Sequence, residues 1–455
     1  MTAHPPTDPQ ERNVVSIGAA FENIDFATEF DVPAMRPLLP GLDPFYRSPI
    51  DLATVAPGTI LRSRPVRIGL LGRIPQRVRA WQLLYRSTDL TGRPEAAVTT
   101  VLLAWDAEPD AGRPLVSFQC AIDAVVPKCF PSYALQHGSR ALGAIPQIEL
   151  PLIAAALARG WAVSVPDHGG QGGHFGAARE PGHRALDGLR AAVRFPPLGL
   201  HPRTRMGLWG YSGGGLATAW AAEVARDYAP ELDIAGAVAG SPVGDPAAAF
   251  VRLNGSAFAG FAMVFTAGLR RAYPGLDEVV REIVSPEYLA LLDDAEHLAT
   301  FPLLARYAGR NANRHIRGGL GALLTRPEMR TVLDDIQPGA QAPAMPLLVV
   351  QGVNDEVIAV ADVDAHVRRY RERGAHVRYL RDRLSTHLPL QFLAAPVMVD
   401  WLADRLAGRP LPPAEDRTLW SLAAGPRAAI AHRHFMALLA TMAAGRPIRT
   451  RSALR

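Results

Sequence analysis

Ser212 sits in the pentapeptide Gly210-Tyr211-Ser212-Gly213-Gly214, a G-x-S-x-G pattern. The apolar run Met206–Trp209 precedes it, and the small-residue helix pattern Gly214-Gly215-Leu216-Ala217-Thr218-Ala219-Trp220 follows. A serine on a sharp strand-to-helix turn is held in strained geometry with its hydroxyl exposed, which suits a nucleophile. The start of the following helix aims N–H groups at a developing negative charge. A serine hydroxyl attacks poorly until a base takes its proton, and the base needs an acid to fix its tautomer. Asp355 is the acid candidate, in the loop Gln351-Gly352-Val353-Asn354-Asp355-Glu356 after an apolar strand pattern, with Glu356 as its rival. His387 is the base candidate. It follows the strand pattern Val377–Leu380 and stands immediately before a helix. Beyond Asp355, His366 falls inside a helix pattern, His376 at a strand start, and His432 and His434 in the tail. The order serine, acid, histidine along the chain fits acyl transfer through a covalent intermediate.

These positions require an alternation of strands and helices, and the sequence supplies one. Strand patterns fall at 97–105, 115–122, 161–165, 206–211, 234–239, 346–351 and 377–380. Helix patterns fall between and after them, at 148–159, 183–194, 214–228, 361–373 and 388–406. Several strand patterns are nearly continuous apolar runs, as in parallel strands covered on both faces. The expectation is an α/β-hydrolase fold, a mostly parallel sheet with helices on both faces, with an inserted helical cap. Residues 1–60 read as an irregular lead-in packed on the core, 61–243 and 345–408 as the core, and 244–344 as the cap or lid. Residues 409–455 read as an Arg-rich tail with one helix, its apolar side carrying Ile430, Phe435, Leu438, Leu439 and Met442.

The chain has 455 residues, 48% of them hydrophobic and 20% charged. This composition excludes a disordered chain, and no apolar run is long enough for a transmembrane segment. The net charge of +5 is scattered arginine, with Lys128 the sole lysine. Without a basic stripe and interleaved aromatics, no nucleic-acid partner is expected. Two cysteines, Cys120 and Cys129, exclude a thiolate metal site and leave open one bridge or two buried thiols. Asp167-His168 lacks further ligand spacing, so neither metal nor other cofactor is expected. The polar Met1–Asn13 segment shows no signal peptide, which points to a cytoplasmic location on that basis.

Further blocks carry a resemblance. They are Asp43-Pro44-Phe45-Tyr46, Ala56-Pro57-Gly58-Thr59-Ile60-Leu61-Arg62-Ser63-Arg64, Pro131-Ser132-Tyr133, Asp167-His168, Leu186-Asp187-Gly188, Tyr228-Ala229-Pro230-Glu231-Leu232 and Asp355-Glu356. With the serine pentapeptide, they make the chain resemble the secretory lipase family of fungal and actinobacterial α/β-hydrolases, from about residue 43 to 408. The resemblance implies a triad of Ser212, Asp355 and His387. It also implies an oxyanion hole from Gly213 and from Asp123 in Ala121-Ile122-Asp123-Ala124. Its substrates would be acyl esters or lipids, most naturally triacylglycerols. Family members are usually secreted.

The aromatic run of the insert supplies substrate-binding candidates, Phe258, Phe261 and Phe265. The cap or the C-terminal helix would make any contact with a lipid interface. A short-chain carboxylesterase or acyltransferase, a serine peptidase and a non-catalytic binding protein are the competing readings of the same fold.

Overall fold

The computed structural model describes residues 36–108 and 112–451. In chain order its strands are β1 (Ile60–Pro65), β2 (Ile68–Leu70), β3 (Ile74–Gln76), β4 (Arg79–Thr88), β5 (Pro94–Leu103) and β6 (Leu115–Gln119). They continue with β7 (Ala162–Pro166), β8 (Met206–Tyr211), β9 (Ile234–Gly240), β10 (Leu347–Gly352), β11 (Val377–Asp382) and β12 (Asp416–Leu419). Ten of them form one sheet in the order β1-β4-β5-β7-β6-β8-β9-β10-β11-β12, and β2 with β3 makes a separate hairpin. From β7 to β12 every pairing is parallel, and β1, β4, β5 and β7 pair antiparallel. β6, β7, β8 and β10 are buried along their whole lengths, which is why they read as apolar runs.

Helices cover both faces. On one face lie α1 (Ile145–Ala158) and the pair ending the core, whose second member begins at Ala395. Their Leu152, Ile153, Leu157, Leu390, Met398 and Leu402 pack on Val116, Phe118, Trp209 and Val350. The other face carries α2 (Glu180–Val193), α3 (Gly213–Tyr228) and a later helix, Val360–Glu372, over a second apolar core. Between β9 and β10 come α4 (Pro246–Leu253), α5 (Ala259–Ala272), α6 (Pro274–Ile283), α7 (Pro286–Ala295), α8 (Thr300–Tyr307), α9 (Gly319–Leu324) and α10 (Pro327–Asp335). No sheet strand falls among the described residues of this insert, and its helices share their own core around Met263, Val264, Leu292 and Leu303. The Val360–Glu372 helix is α11, and the pair after β11 is α12 (His387–Leu393) and α13 (Ala395–Leu406). The last helix is α14 (Pro426–Ala443).

The structure corrects the sequence reading at several strands and helices. The antiparallel strands β1 and β4 fall outside the strand patterns. β4, Arg79–Thr88, mixes Gln82, Arg86 and Ser87 with its apolar residues, and the burial of Gln82 and Ser87 breaks a clean alternation. The single helix expected over 388–406 divides at Ala394, where Pro396 at the second position of α13 ends the run of donors. The helical insert opens with two helices separated at Asn254-Gly255. Finally, the tail holds more than one helix, since β12 extends the sheet beyond residue 409. Its Asp-Arg-Thr-Leu sequence is short, charged and exposed, as suits an edge.

Residues 1–35 of the expected lead-in lie outside the described residues. In the rest of it, Phe45 and Tyr46 pack on Leu84 and Val98. Cys120 and Cys129 are both buried free thiols.

Candidate active site

Ser212 occupies the turn between β8 and α3, with φ of 55° and ψ of −122°. Few residues other than glycine adopt such a backbone, and the surroundings must hold it there. Ser212 N–H donates to the Gly240 carbonyl of β9 at 2.9 Å, and Leu216 N–H donates to the Ser212 carbonyl at 2.9 Å. A side chain at Gly214 would run into the Gln119 carbonyl of β6, so the glycine lets α3 press against the sheet.

His387 opens α12, and its ring lies between serine and acid. Nε2 is 2.8 Å from Ser212 Oγ, and Nδ1 is 2.8 Å from Asp355 Oδ2. The histidine backbone is fixed as well: Tyr211 Oη donates to its carbonyl at 2.6 Å, and His387 N–H donates to Glu356 Oε2 at 3.0 Å. Asp355 Oδ1 accepts the N–H groups of Val357 and Ile358 at 2.9 and 2.7 Å. Its Oδ2 also accepts Gln351 Nε2 at 3.2 Å. Burial alone would raise the Asp355 pKa, but the His387 ring and those backbone donors hold it below the usual value. Of the two acids weighed from sequence, Asp355 faces the imidazole and Glu356 caps its helix.

β6 ends at Gln119, short of the expected residue 122. Asp123 therefore lies in a segment that has left the sheet, at a φ of 41°. The carboxyl is buried over Gly213, where a Cβ would fall on Asp123 Oδ1, and that oxygen has no hydrogen-bond partner. Burial pushes its pKa to about 7, against the opposing pull of His387. Beneath it Glu149 of α1 is also fully buried and is pushed to about 8, first by burial.

Two apolar lobes meet at Ser212. One, about 50 Å³, is lined by Gly213, Asp123, Phe250, Phe261 and Phe265. The other, about 80 Å³, is lined by His387, Phe258, Phe261, Phe301 and Leu388. The insert thus brings all three phenylalanines read from sequence to the serine, with Phe261 shared by both lobes.

Asp167 and His168 turn to different partners. Asp167 accepts Ser132 N–H at 2.8 Å, and His168 Nε2 lies 2.7 Å from the Cys120 carbonyl. Among the described residues no three His, Cys, Asp or Glu side chains converge as a metal-ligand set, and no helix is long and apolar enough to cross a membrane. The C-terminal α14 packs through Phe435, Leu438 and Met442, leaving Ile430 and Met436 exposed.

Tyr211, Gln351, Glu149 and Gln391 support the site and were not singled out from sequence. Tyr211 stands inside the serine pentapeptide and Gln351 opens the loop that carries Asp355, while Glu149 and Gln391 carry no such signal.

The secretory lipase family model matches residues 135–413. A protein named "probable inactive lipase" from Mycobacterium tuberculosis is 46% identical over 417 residues, 92% of this chain and 94% of its own. Lipase A of Arthroderma benhamiae is 35% identical over 381 residues, 82% of this chain and 81% of its own. The secreted triacylglycerol lipase LIP4 of Malassezia globosa is 32% identical over 380 residues, 82% of each chain. The crystal structure of Candida antarctica lipase A shares the fold at a TM-score of 0.80 and 24% identity, covering 89% of this chain and 95% of that one. The chain belongs to the secretory lipase family and has the α/β-hydrolase fold of that family's ester hydrolases.

Proposed function

We propose that the chain is an active serine carboxylic-ester hydrolase, a lipase that cleaves acylglycerols through an acyl-enzyme on Ser212. The observation that carries this is the unbroken relay Ser212 Oγ–His387 Nε2–Asp355, with 2.8 Å at each step, beneath apolar lobes. The aligned triad supports activity, against the name of the Mycobacterium tuberculosis relative, a probable inactive lipase.

Ser212 Oγ attacks the ester carbonyl as His387 Nε2 takes its proton, and Asp355 stabilises the imidazolium. The tetrahedral oxyanion sits over the start of α3, with Gly213 and Asp123 as the donors. A neutral Asp123 carboxyl adds a donor of its own, and each such donor is worth about 3 kcal/mol of barrier. The imidazolium then protonates the leaving alcohol. Water, activated by the same histidine, releases the acid. None of these steps calls for a metal or a cofactor.

The small size of the lobes favours a second reading. Sites for drug-sized ligands enclose roughly 300–1,000 Å³, so the lobes as they stand suit a short acyl chain better than a long one. Hydrolysis of p-nitrophenyl esters from C2 to C16 by wild type and Ser212→Ala separates the two. Activity that grows with chain length and vanishes in the variant supports the lipase. Activity confined to C2–C4 makes the protein a short-chain esterase. Activity that survives in Ser212→Ala overturns the mechanism.

A further inference from the structure

Glu149 stands outside the serine–histidine–aspartate relay, yet it touches both halves of the site. It lies on α1 with no exposed surface. Its Oε2 accepts the N–H of Ala121 at 2.9 Å, two residues before Asp123. Its Oε1 accepts Gln391 Nε2 at 2.5 Å, one turn along α12 from His387.

The two partners belong to parts of the chain that reach Ser212 from different strands. Residues 120–123 leave the end of β6 and have no strand ladder to hold them. Besides Glu149, the ties of this segment include His168 Nε2 at the Cys120 carbonyl, 2.7 Å, and Thr300 Oγ1 at the carbonyls of Ile122 and Asp123, 3.3 Å each. α12 is a seven-residue helix whose first residue is His387. A carboxyl buried this completely is costly to desolvate, and removing it alone would leave the Ala121 N–H and the Gln391 amide without this acceptor. The two donors it serves belong to the segments that carry Asp123 and His387, so the acid bridges them.

We infer that Glu149 is a positioning residue: through Ala121 and Gln391 it sets the spacing between the Asp123 segment and the His387 helix, so that the oxyanion donors and the base address the same carbonyl. The inference rests on the proposed ester hydrolysis at Ser212. Displacements of about 1 Å in such a constellation cost up to about 100-fold in rate.

The test compares wild type with Glu149→Leu, Glu149→Gln, Gln391→Leu and the Glu149→Leu/Gln391→Leu double variant. Each is titrated to end point with a fluorophosphonate, so that kcat is expressed per competent serine. Glu149→Leu is expected to lower kcat about 10- to 100-fold with KM within about twofold. Glu149→Gln can still accept from Ala121 and, if the Gln391 amide turns over, donate to it, so it should recover most of the rate. Gln391→Leu should lose rate in the same way, and the double variant should be no slower than the worse single one, because both cut one bridge.

A Glu149→Leu kcat per titrated serine within about twofold of wild type overturns the bridge. So do losses that multiply in the double variant. If Glu149→Leu does not fold, Gln391→Leu decides alone: unchanged kcat per serine overturns the inference, and a kcat-specific loss supports it. Wild type that neither hydrolyses esters nor reacts with the fluorophosphonate fails the functional reading instead, a result distinct from all of these.

Discussion

Asp123→Asn should stabilise the protein at alkaline pH and leave it little changed at acid pH. The carboxyl is buried against Gly213 with one oxygen unpartnered, and its pKa moves from 3.8 to about 7. A carboxyl whose folded pKa lies above its unfolded one stabilises the fold in its neutral form. That contribution is complete below about pH 4 and is lost as pH climbs through about 7. The rise corresponds to about 4 kcal/mol. Glu149, pushed to about 8 first by burial and also by the Asp123 charge, adds to the loss in the same direction. Asparagine keeps the volume and a donor but cannot ionise. The stability of Asp123→Asn minus that of wild type should therefore grow by up to about 3 kcal/mol between pH 5 and pH 8.5, the rest of the loss falling below pH 5, measured by urea denaturation at each pH. A difference that stays constant within about 0.5 kcal/mol would refute the reasoning. Activity should follow the same proton. A carboxylate beside Gly213 opposes an oxyanion forming there, so wild type should slow above pH 7 where the asparagine variant does not.

Asp355→Asn removes the acid that orients His387 and should lower kcat about 10⁴-fold with folding intact, read by ester hydrolysis alongside a thermal melt. Phe261→Ala opens both lobes at once and should move the preferred acyl length upward across a p-nitrophenyl ester series; a lower melting point with an unchanged preference profile would count against a substrate role.

The candidate triad is legible because each member sits just after a strand pattern ends, and strand ends are what apolar runs such as Met206–Tyr211 and Leu347–Gly352 reveal. The insert was legible for the complementary reason, a long helical stretch in which the strand signal stops. What escaped depends on contacts distant in sequence. Glu149 reads as an ordinary helix glutamate until α1 is laid against β6 and α12, and Gln351 as an ordinary strand glutamine until Asp355 folds back over it. β4 escaped because Gln82 and Ser87 are buried with partners supplied by other elements. Ser87, for example, donates to Asp187 of α2 at 2.8 Å. Asp123 marks the boundary between the two cases: family resemblance points to it, but only the backbone turning out of β6 at a φ of 41° explains how an acid comes to lie over Gly213. The same division explains why membership of the family does not by itself establish activity. The fold is set by dozens of apolar residues that tolerate exchange, as identities near 24% at a TM-score of 0.80 show. The chemistry hangs on a few polar atoms, and a relative can lose one of them while keeping every strand. For this chain the proposed activity therefore rests on the two 2.8 Å contacts of His387 rather than on any percentage of identity.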